Sequence, residues 1–322
     1  MRVSIVIPTF NRETSVMAAV ESVLRQTFTD FEVVVVDDGS TDGTAARIAA
    51  IADARVRYVH QTNAGVSAAR NLGVRLARGD ILSFLDSDDL WMPDKLAHEV
   101  AFLDARPDAG AVFSDLVKYD GDRVVPSFMR ASPVFAGMLA LRLRDASVVF
   151  EQREMLLCLL QEVPILPSAF TLRRVAFVAA GGFDETWRAW EDWEFFLRLA
   201  RQVRFGYIDR PLAAHRLSAG SLHRVEATHG RTRMLARLRS LRRELRGDSE
   251  AWVAATNGLI GLRNRIAWDY ADGGQRLAAL ATYVRGFAET GRASVLLRAL
   301  AALLPRAVRH SGGRLLRAAA RT

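Results

Sequence analysis

The sequence predicts an α/β fold, a mostly parallel sheet with helices on both faces, followed by an α-helical C-terminal appendage. Three observations carry this. Short β-branched runs alternate with segments of helical period from residue 3 to residue 85, as in strand–helix–strand units whose parallel strands are buried on both sides. Two of those runs end in acidic clusters, Asp37-Asp38 and Asp86-Ser87-Asp88-Asp89, beyond the carboxyl ends of the strands, where such sheets bind ligands. Beyond Arg224 the chain changes to Leu, Ala and Arg at helical spacing.

Val3 to Ile7, stopped by Pro8, and Phe31 to Val36, stopped by Asp37-Asp38-Gly39-Ser40, are the first two strands. Between them Val16, Ala19, Val20, Val23 and Leu24 recur at helical spacing. The pattern repeats as a helix over Thr44 to Ala52, a strand over Val56 to His60, a helix over Val66 to Arg78 and a strand over Ile81 to Leu85. A helix over Pro93 to Leu103 and a strand over Gly110 to Leu116 follow, after which Lys118 to Pro167 shows no clear period. Order returns with Ser168 to Leu172, the turn Gly181-Gly182-Phe183-Asp184-Glu185 and a helix from Glu191 to Arg201. In the appendage Gly247, Gly273-Gly274, Gly291 and Gly312-Gly313 break the helices. The expected division is an α/β domain over 1–225 and an Arg-rich helical region over 226–322.

The 322 residues are 50% hydrophobic and 25% charged, the balance of a packed core rather than of disorder. A single Cys158 excludes a disulfide framework and a Cys-rich zinc site, and fits a reducing compartment. The net charge of +8 suggests nucleic acid until it is located. Residues 231–322 hold 18 Arg, no Lys and 6 acidic residues, a net of +12, which leaves −4 on residues 1–230. Basicity confined to an appendage argues against a nucleic-acid enzyme, and suits solvated helix faces or docking on an anionic membrane surface. No apolar run reaches the roughly 18 residues of a membrane span, and Met1 to Pro8 lacks the pattern of a secretory leader. The expected location is cytoplasmic, peripheral at the inner face of the plasma membrane where the tail docks.

Either acidic cluster alone is equally well a helix cap or a turn. Together they suggest more. In Asp86-Ser87-Asp88 the carboxylates alternate along an extended segment, so one can face a divalent cation and the other a ligand beside it. Hard oxygen donors select Mn²⁺ or Mg²⁺, ions that complete their coordination with diphosphate oxygens. Asp38 stands where it can accept from a nucleobase N–H or a ribose hydroxyl. Glu191-Asp192, out of context, would be acids favoured by a helix N-terminus.

Context comes from five motifs in register. Ile5-Val6-Ile7-Pro8-Thr9-Phe10-Asn11-Arg12, with Ser22-Val23-Leu24-Arg25-Gln26-Thr27-Phe28 and Val35-Val36-Asp37-Asp38-Gly39-Ser40-Thr41-Asp42, resembles the opening of family 2 glycosyltransferases. Asn63-Ala64-Gly65-Val66-Ser67-Ala68-Ala69-Arg70-Asn71, Asp86-Ser87-Asp88-Asp89, and Gly181-Gly182-Phe183-Asp184-Glu185 followed by Glu191-Asp192 are similar to its later motifs, over roughly residues 1–225. The resemblance implies the GT-A (nucleotide-diphospho-sugar transferase) fold and an inverting, metal-dependent enzyme of bacterial type. Such an enzyme moves a sugar from a nucleotide-diphosphate sugar, most often a UDP-sugar, to a hydroxyl of a glycan or lipid-linked oligosaccharide in cell-surface polysaccharide synthesis. The Gln-x-x-Arg-Trp motif and spans of processive synthases are absent, so non-processive transfer is expected.

Laid on these positions, the resemblance implies that Pro8, Phe10, Asn11 and Asp38 hold the nucleotide, with Asn63 and Arg70 near the sugar and phosphates. In Asp86-Ser87-Asp88, Asp88 would bind the metal and Asp86 the ribose, the metal's water or the donor sugar. Asp192 would be the catalytic base, with Glu191, Trp190 and Arg216 on the acceptor side and Glu194 a structural partner. His215-Arg216 with Ser218, Gly220 and Ser221 resembles the closing loop, making His215 a second metal or phosphate contact. Trp187, Trp190 and Trp193 are expected chiefly in the core, whereas Arg173-Arg174 is equally a solvated helix start or a contact to an anionic acceptor.

The reaction needs these parts. Breaking the anomeric bond puts charge on the diphosphate, which a cation stabilises, and the acceptor hydroxyl attacks well only as its proton is taken. A dinucleotide oxidoreductase would carry Gly-x-Gly-x-x-Gly where Pro8-Thr9-Phe10-Asn11 stands, and the Gly-rich loops of P-loop nucleotidases and sugar nucleotidyltransferases are also absent. The remaining rival is a catalytically inactive sugar-nucleotide-binding scaffold of the same fold.

Overall fold

β1 (Val3–Thr9), β2 (Phe31–Asp37) and β3 (Val56–His60) pair in parallel, and β4 (Ile81–Phe84) joins the other side of β1. Every residue of β1 and β2 is buried, which is why both read as near-continuous Val and Ile rather than as an alternation. The crossovers are α1 (Val16–Leu24), α2 (Thr44–Ala49) and α3 (Val66–Leu76). α3 lies close on β1 because Gly73 has no side chain; a Cβ there would overlap the methyl groups of Val6. The computed structural model describes residues 1–120, 123–125, 128–217 and 227–295. The expected loop at Ser218, Gly220 and Ser221 and the break at Gly312-Gly313 lie outside the described residues.

The second half of the sheet is mixed. β9 (Phe170–Arg173) runs antiparallel to β4 and to β6 (Ala109–Asp120), and β10 (Arg204–Arg216) runs parallel to β6. β5 (Leu90–Trp91) and β8 (Ser147–Phe150) pair antiparallel with β10, and β7 (Arg123–Val125) with β6. The main strand order is β3-β2-β1-β4-β9-β6-β10-β5. β10 is absent from the sequence reading because Asp209, Arg210 and Pro211 interrupt it; the register shifts there, between Ile208 and Ala213, as at a β-bulge. Lys118 to Pro167 has regular pieces that share no period. It holds β7, α5 (Pro133–Arg142), β8 and α6 (Gln152–Leu159), pieces of 3 to 10 residues, too short to declare a period.

α4 (Lys95–Ala105) buries a complete ion pair in the core. Lys95 Nζ lies 2.5 Å from Glu99 Oε2, and Thr171 and Ser114 hydroxyls donate to the same carboxylate at 2.6 and 3.2 Å. Such charges persist in an apolar interior only when paired and hydrogen-bonded. Arg173 and Arg174, the latter opening α7 (Arg174–Ala179), are neither solvated nor at the site. Arg173 donates to the carbonyls of Leu103 and Ala109 at 2.7 and 3.1 Å, and Arg174 to those of Val74 and Gly79 at 3.0 and 2.6 Å. Both satisfy carbonyls in and beyond the last turns of α3 and α4, which cations at a helix C-terminus favour.

The chain divides into two compact units, Met1–Leu159 with Val163–Ala227, and Leu160–Glu162 with Thr228–Thr322. In the second unit, α9 (Ala227–Glu244), α10 (Ser249–Asp272) and α11 (Arg276–Thr290) end near the glycines read as breaks. Asp248 caps α10 by accepting from the Ala251 N–H at 3.0 Å, and Gly291 closes α11 in the left-handed region. Not every arginine here is on a solvated face. Arg263 is buried and, with Arg239, ion-pairs to Glu289 at 2.6 and 2.5 Å. Among the described residues no helix is long and apolar enough to cross a membrane.

Candidate active site

The chain leaves the carboxyl ends of β1, β2, β3 and β4 on one side of the sheet, and the segments that follow them line one cavity of about 510 Å³. Pro8 lies within the end of β1 and Phe10 and Asn11 just after it, Asp38 follows β2, Asn63 follows β3, and Asp86, Ser87 and Asp88 follow β4. Arg70 on α3, the segment Arg188 to Asp192 that leads into α8 (Glu191–Leu199), and His215 and Arg216 at the end of β10 complete it. The structure thus brings together Pro8, Phe10, Asn11, Asp38, Asn63, Arg70, the Asp86-Ser87-Asp88 loop, Trp190, Glu191, Asp192, His215 and Arg216. Among the described residues the two non-glycine positions with positive φ, Asn11 at 51° and Trp190 at 67°, both face this cavity. Backbone strain of that kind concentrates where function requires it.

The nucleotide-side loops are held by one another. Asn11 donates its N–H to Ser40 Oγ at 2.9 Å and accepts from the Thr41 N–H at 2.8 Å. Asp37 accepts from the Ser40 N–H and from Tyr58 OH, each at 2.8 Å, and burial together with that carboxylate pushes the phenol up to about 12. Asp38 accepts from Gln61 Nε2 at 2.6 Å and from the N–H groups of Ala64 and Gly65 at 2.8 Å each. Its first role is therefore to fix the loop 63–65, and a base-edge contact has only the lone pairs that remain. Phe10, by contrast, is 46% exposed, an uncovered ring at the edge of a polar cavity.

Beneath the acids lies Arg70, 2% exposed. Its Nη2 lies 2.7 Å from Asp86 Oδ1 and its Nη1 2.7 Å from Glu191 Oε1. Burial disfavours its charge, but the carboxylates of Asp86 and Glu191 outweigh burial and raise its pKa. Arg70 and Glu191 thus form an internal ion pair that ties α3 to the start of α8. Glu191 is engaged by this brace and also lines the cavity. Glu194 is likewise paired, to Arg198 at 2.8 Å.

Asp88 is different. Burial, then the like charges of Asp89 and Asp86, push its carboxyl up, and Arg12, 3.3 Å away, and His215 offset part of this. Asp89 was given no role by the sequence, yet it organises this corner. It accepts from Ser168 Oγ at 2.6 Å and from the Arg216 N–H at 3.0 Å, and its Oδ1 lies 3.0 Å from His215 Nδ1. Burial alone would lower the His215 pKa, but its hydrogen bond with Asp89 and that residue's charge raise it. With Nδ1 committed, Nε2 is the ring nitrogen left for a ligand.

Asp192, in the first turn of α8, accepts from the Trp193 N–H at 2.7 Å and lines the cavity. Trp187 and Trp193 are core residues, Trp193 donating Nε1–H to the Leu159 carbonyl at 2.6 Å. Trp190 is half-buried at the cavity wall, its ring 5.5 Å from that of Trp193. Arg12, Arg188 and Ser168 carried no role in the sequence reading. For Arg12 and Arg188 the available signal was adjacency to the motifs at Asn11 and Glu191; for Ser168 there was none.

Comparison with known proteins gives these features a family. A Rickettsia felis protein described as "Uncharacterized glycosyltransferase" is 32% identical over 224 residues, 68% of this chain and 34% of its own length, so the chain spans about a third of that relative. The Escherichia coli "UDP-Glc:alpha-D-GlcNAc-diphosphoundecaprenol beta-1,3-glucosyltransferase WfgD" is 36% identical over 102 residues, 32% of this chain and 40% of that one. S. aureus TarS 1-349, solved in complex with UDP-GlcNAc, superposes with a TM-score of 0.66 at 20% identity, covering 90% of this chain and 82% of that one. The shared fold is GT-A. Residues 4–178, more than half of the chain, match the profile of Glycosyl transferase family 2, and the chain belongs to that family.

Proposed function

We propose that this protein is an inverting, non-processive glycosyltransferase that moves a sugar from a UDP-sugar to a hydroxyl of a glycan or lipid-linked oligosaccharide. The observation that supports this most is the single cavity shared by Asp192, the Asp86-Ser87-Asp88 loop and the Pro8-to-Asn11 and Asn63 loops. Phe10 and Pro8 offer apolar contact to the base, and Asn11 and Asn63 polar contact to the nucleoside. Arg216 supplies donors to the diphosphate, and so does His215 Nε2 when the ring is protonated. Asp192 removes the proton of the acceptor hydroxyl as it attacks, and Trp190 offers the acceptor sugar an apolar wall. One in-line displacement inverts the anomeric centre. The name of the WfgD relative motivates both the UDP donor and the diphosphate-lipid acceptor.

The donor set fits a hard divalent ion, Mn²⁺ or Mg²⁺. Burial and the like charges of Asp89 and Asp86 disfavour the charged form of Asp88, an oxygen donor that a divalent cation would stabilise. Among the described residues no three His, Cys, Asp or Glu side chains gather around one point, so Asp88, with Asp86 beside it, leaves the remaining coordination to phosphate oxygens and water. Bound there, the ion would neutralise charge on the leaving diphosphate.

Incubation with labelled UDP-sugars, Mn²⁺ and a diphosphoundecaprenol-linked GlcNAc acceptor tests the proposal. Labelled glycolipid is expected. Donor that binds but is neither transferred nor hydrolysed identifies the inactive scaffold instead. The basic C-terminal helices support peripheral docking at an anionic membrane, each Lys or Arg at such a surface contributing about 1 kcal/mol. Co-sedimentation with anionic but not neutral vesicles is expected, and equal recovery with both would remove the docking.

A further inference from the structure

Both acids of the Asp86-Ser87-Asp88 loop carry an arginine, but the two arginines differ. Arg70, with a side chain 3% exposed, is locked by two ion pairs of 2.7 Å. Arg12 has a side chain 31% exposed and makes one longer contact, Nη2 to Asp88 Oδ2 at 3.3 Å. The backbone of Arg12 is fixed: its N–H donates to Thr44 Oγ1 at 2.9 Å, and its carbonyl accepts from the N–H groups of Ser15 and Val16 at 3.0 Å each. The side chain, anchored on the β1–α1 loop, reaches Asp88 on the β4–β5 loop along the wall of the cavity. One guanidinium is therefore buried and held by two carboxylates, and the other is partly exposed and held by one.

We propose that Arg12 is an exchangeable counter-cation, which occupies Asp88 in the donor-free protein and transfers to the donor's diphosphate, releasing Asp88 to the divalent ion. The inference rests on the function proposed above. A guanidinium bonds a diphosphate with two parallel N–H donors, a better partner than one carboxylate oxygen at 3.3 Å. A divalent ion arriving alone meets a carboxylate that already has a positive partner and must displace it. Arriving with the donor, it meets a vacated one. Donor and ion then strengthen each other's binding by the same factor, as linkage requires.

The test is binding to the full-length protein rather than turnover. Mn²⁺ titrated by calorimetry or electron paramagnetic resonance in the absence of nucleotide is expected to bind Arg12→Gln about three- to tenfold more tightly than wild type, the scale of a partly exposed pair. UDP titrated in the presence of EDTA is expected to bind Arg12→Gln about three- to tenfold more weakly. Arg12→Lys, which keeps the charge with a shorter reach, should shift both in the same directions by smaller factors; thermal midpoints of the variants establish that they are folded. Unchanged or weaker Mn²⁺ binding by both variants overturns the exchange, even if UDP binding falls, because Arg12 is then a phosphate contact alone. Absence of Mn²⁺ binding by wild type with UDP present overturns it as well. A wild-type protein that binds no UDP under any condition refutes the donor assignment itself, a distinct result.

Discussion

Replacing Arg70 with Met tests the brace beneath the site. The side chain is 3% exposed and holds two carboxylates, Glu191 at 10% side-chain exposure and Asp86 at 32%. Removing one partner of a buried pair costs about 3–5 kcal/mol, because the abandoned charge remains in a medium that solvates it poorly. Asp86 is open enough to rehydrate, so the Glu191 arm carries most of the loss, and the expected destabilisation is about 3–4 kcal/mol rather than twice that. At about 2–4 °C per kcal/mol for a unit of this size, the thermal midpoint should fall by roughly 6–16 °C. Arg70→Lys should restore less than half of it, since an ammonium cannot bridge both carboxylates in the geometry of a guanidinium fork. Adding Glu191→Met to Arg70→Met should recover a large part, because an apolar pair leaves no buried charge unmatched. Urea and thermal unfolding of wild type, these three variants and Glu191→Met alone measure this. An Arg70→Met protein within about 1 kcal/mol of wild type, or a double variant whose losses simply add, would refute the reasoning.

Two further perturbations follow from the same structure. Glu32 is buried and accepts from Ser4 Oγ, the Arg78 N–H and Arg57 Nη1 at 2.8, 2.6 and 3.1 Å; burial pushes its pKa up, but these bonds and the Arg57 charge outweigh burial and hold it below the ordinary value of a Glu carboxyl. Its stabilisation is therefore full above the unfolded value and is lost as pH falls through the lower folded one, so Glu32→Gln should be about 1–3 kcal/mol less stable at pH 7 and lose less on acidification. Urea midpoints taken from pH 7 to pH 3 check this, and parallel curves for the two proteins contradict it. Gly65 has φ +95°, and a Cβ there would lie 2.7 Å from Arg188 Nη1, so Gly65→Ala should cost about 1–3 kcal/mol and weaken UDP binding by displacing the loop that Asp38 holds. A wild-type thermal midpoint for that variant would show that the left-handed backbone is not required.

What the sequence disclosed and what it withheld have a common physical basis. β1 and β2 were legible because strands buried on both faces need unbroken apolar runs, and the acids beyond β2 and β4 because strand ends are where such a sheet meets its ligands. β10 was not, since a strand that passes through Asp209-Arg210-Pro211 has no period of two to read. In the site, residue type and position were legible, but each group's commitments were not. Asp38 is engaged by backbone N–H groups from residues 64 and 65, Glu191 by Arg70, and His215 by Asp89, partners 26 to 126 positions apart in the chain. Arg173-Arg174 shows the same limit: a doublet that could have been solvent-facing instead holds carbonyls that only the folded arrangement of α3 and α4 brings near.

In the proposed reaction Asp192 takes the acceptor's proton while other residues hold the donor. Asp192→Asn keeps the shape of the side chain, including an oxygen that can accept from the Trp193 N–H, and removes its basicity. The direct measurement is the single-turnover transfer rate of this variant beside its UDP-sugar affinity. Loss of proton removal predicts a rate about 10²- to 10⁴-fold below wild type, with the donor dissociation constant changed by less than about threefold. A variant that retained more than about a tenth of the wild-type rate, or lost donor binding in step with transfer, would contradict it.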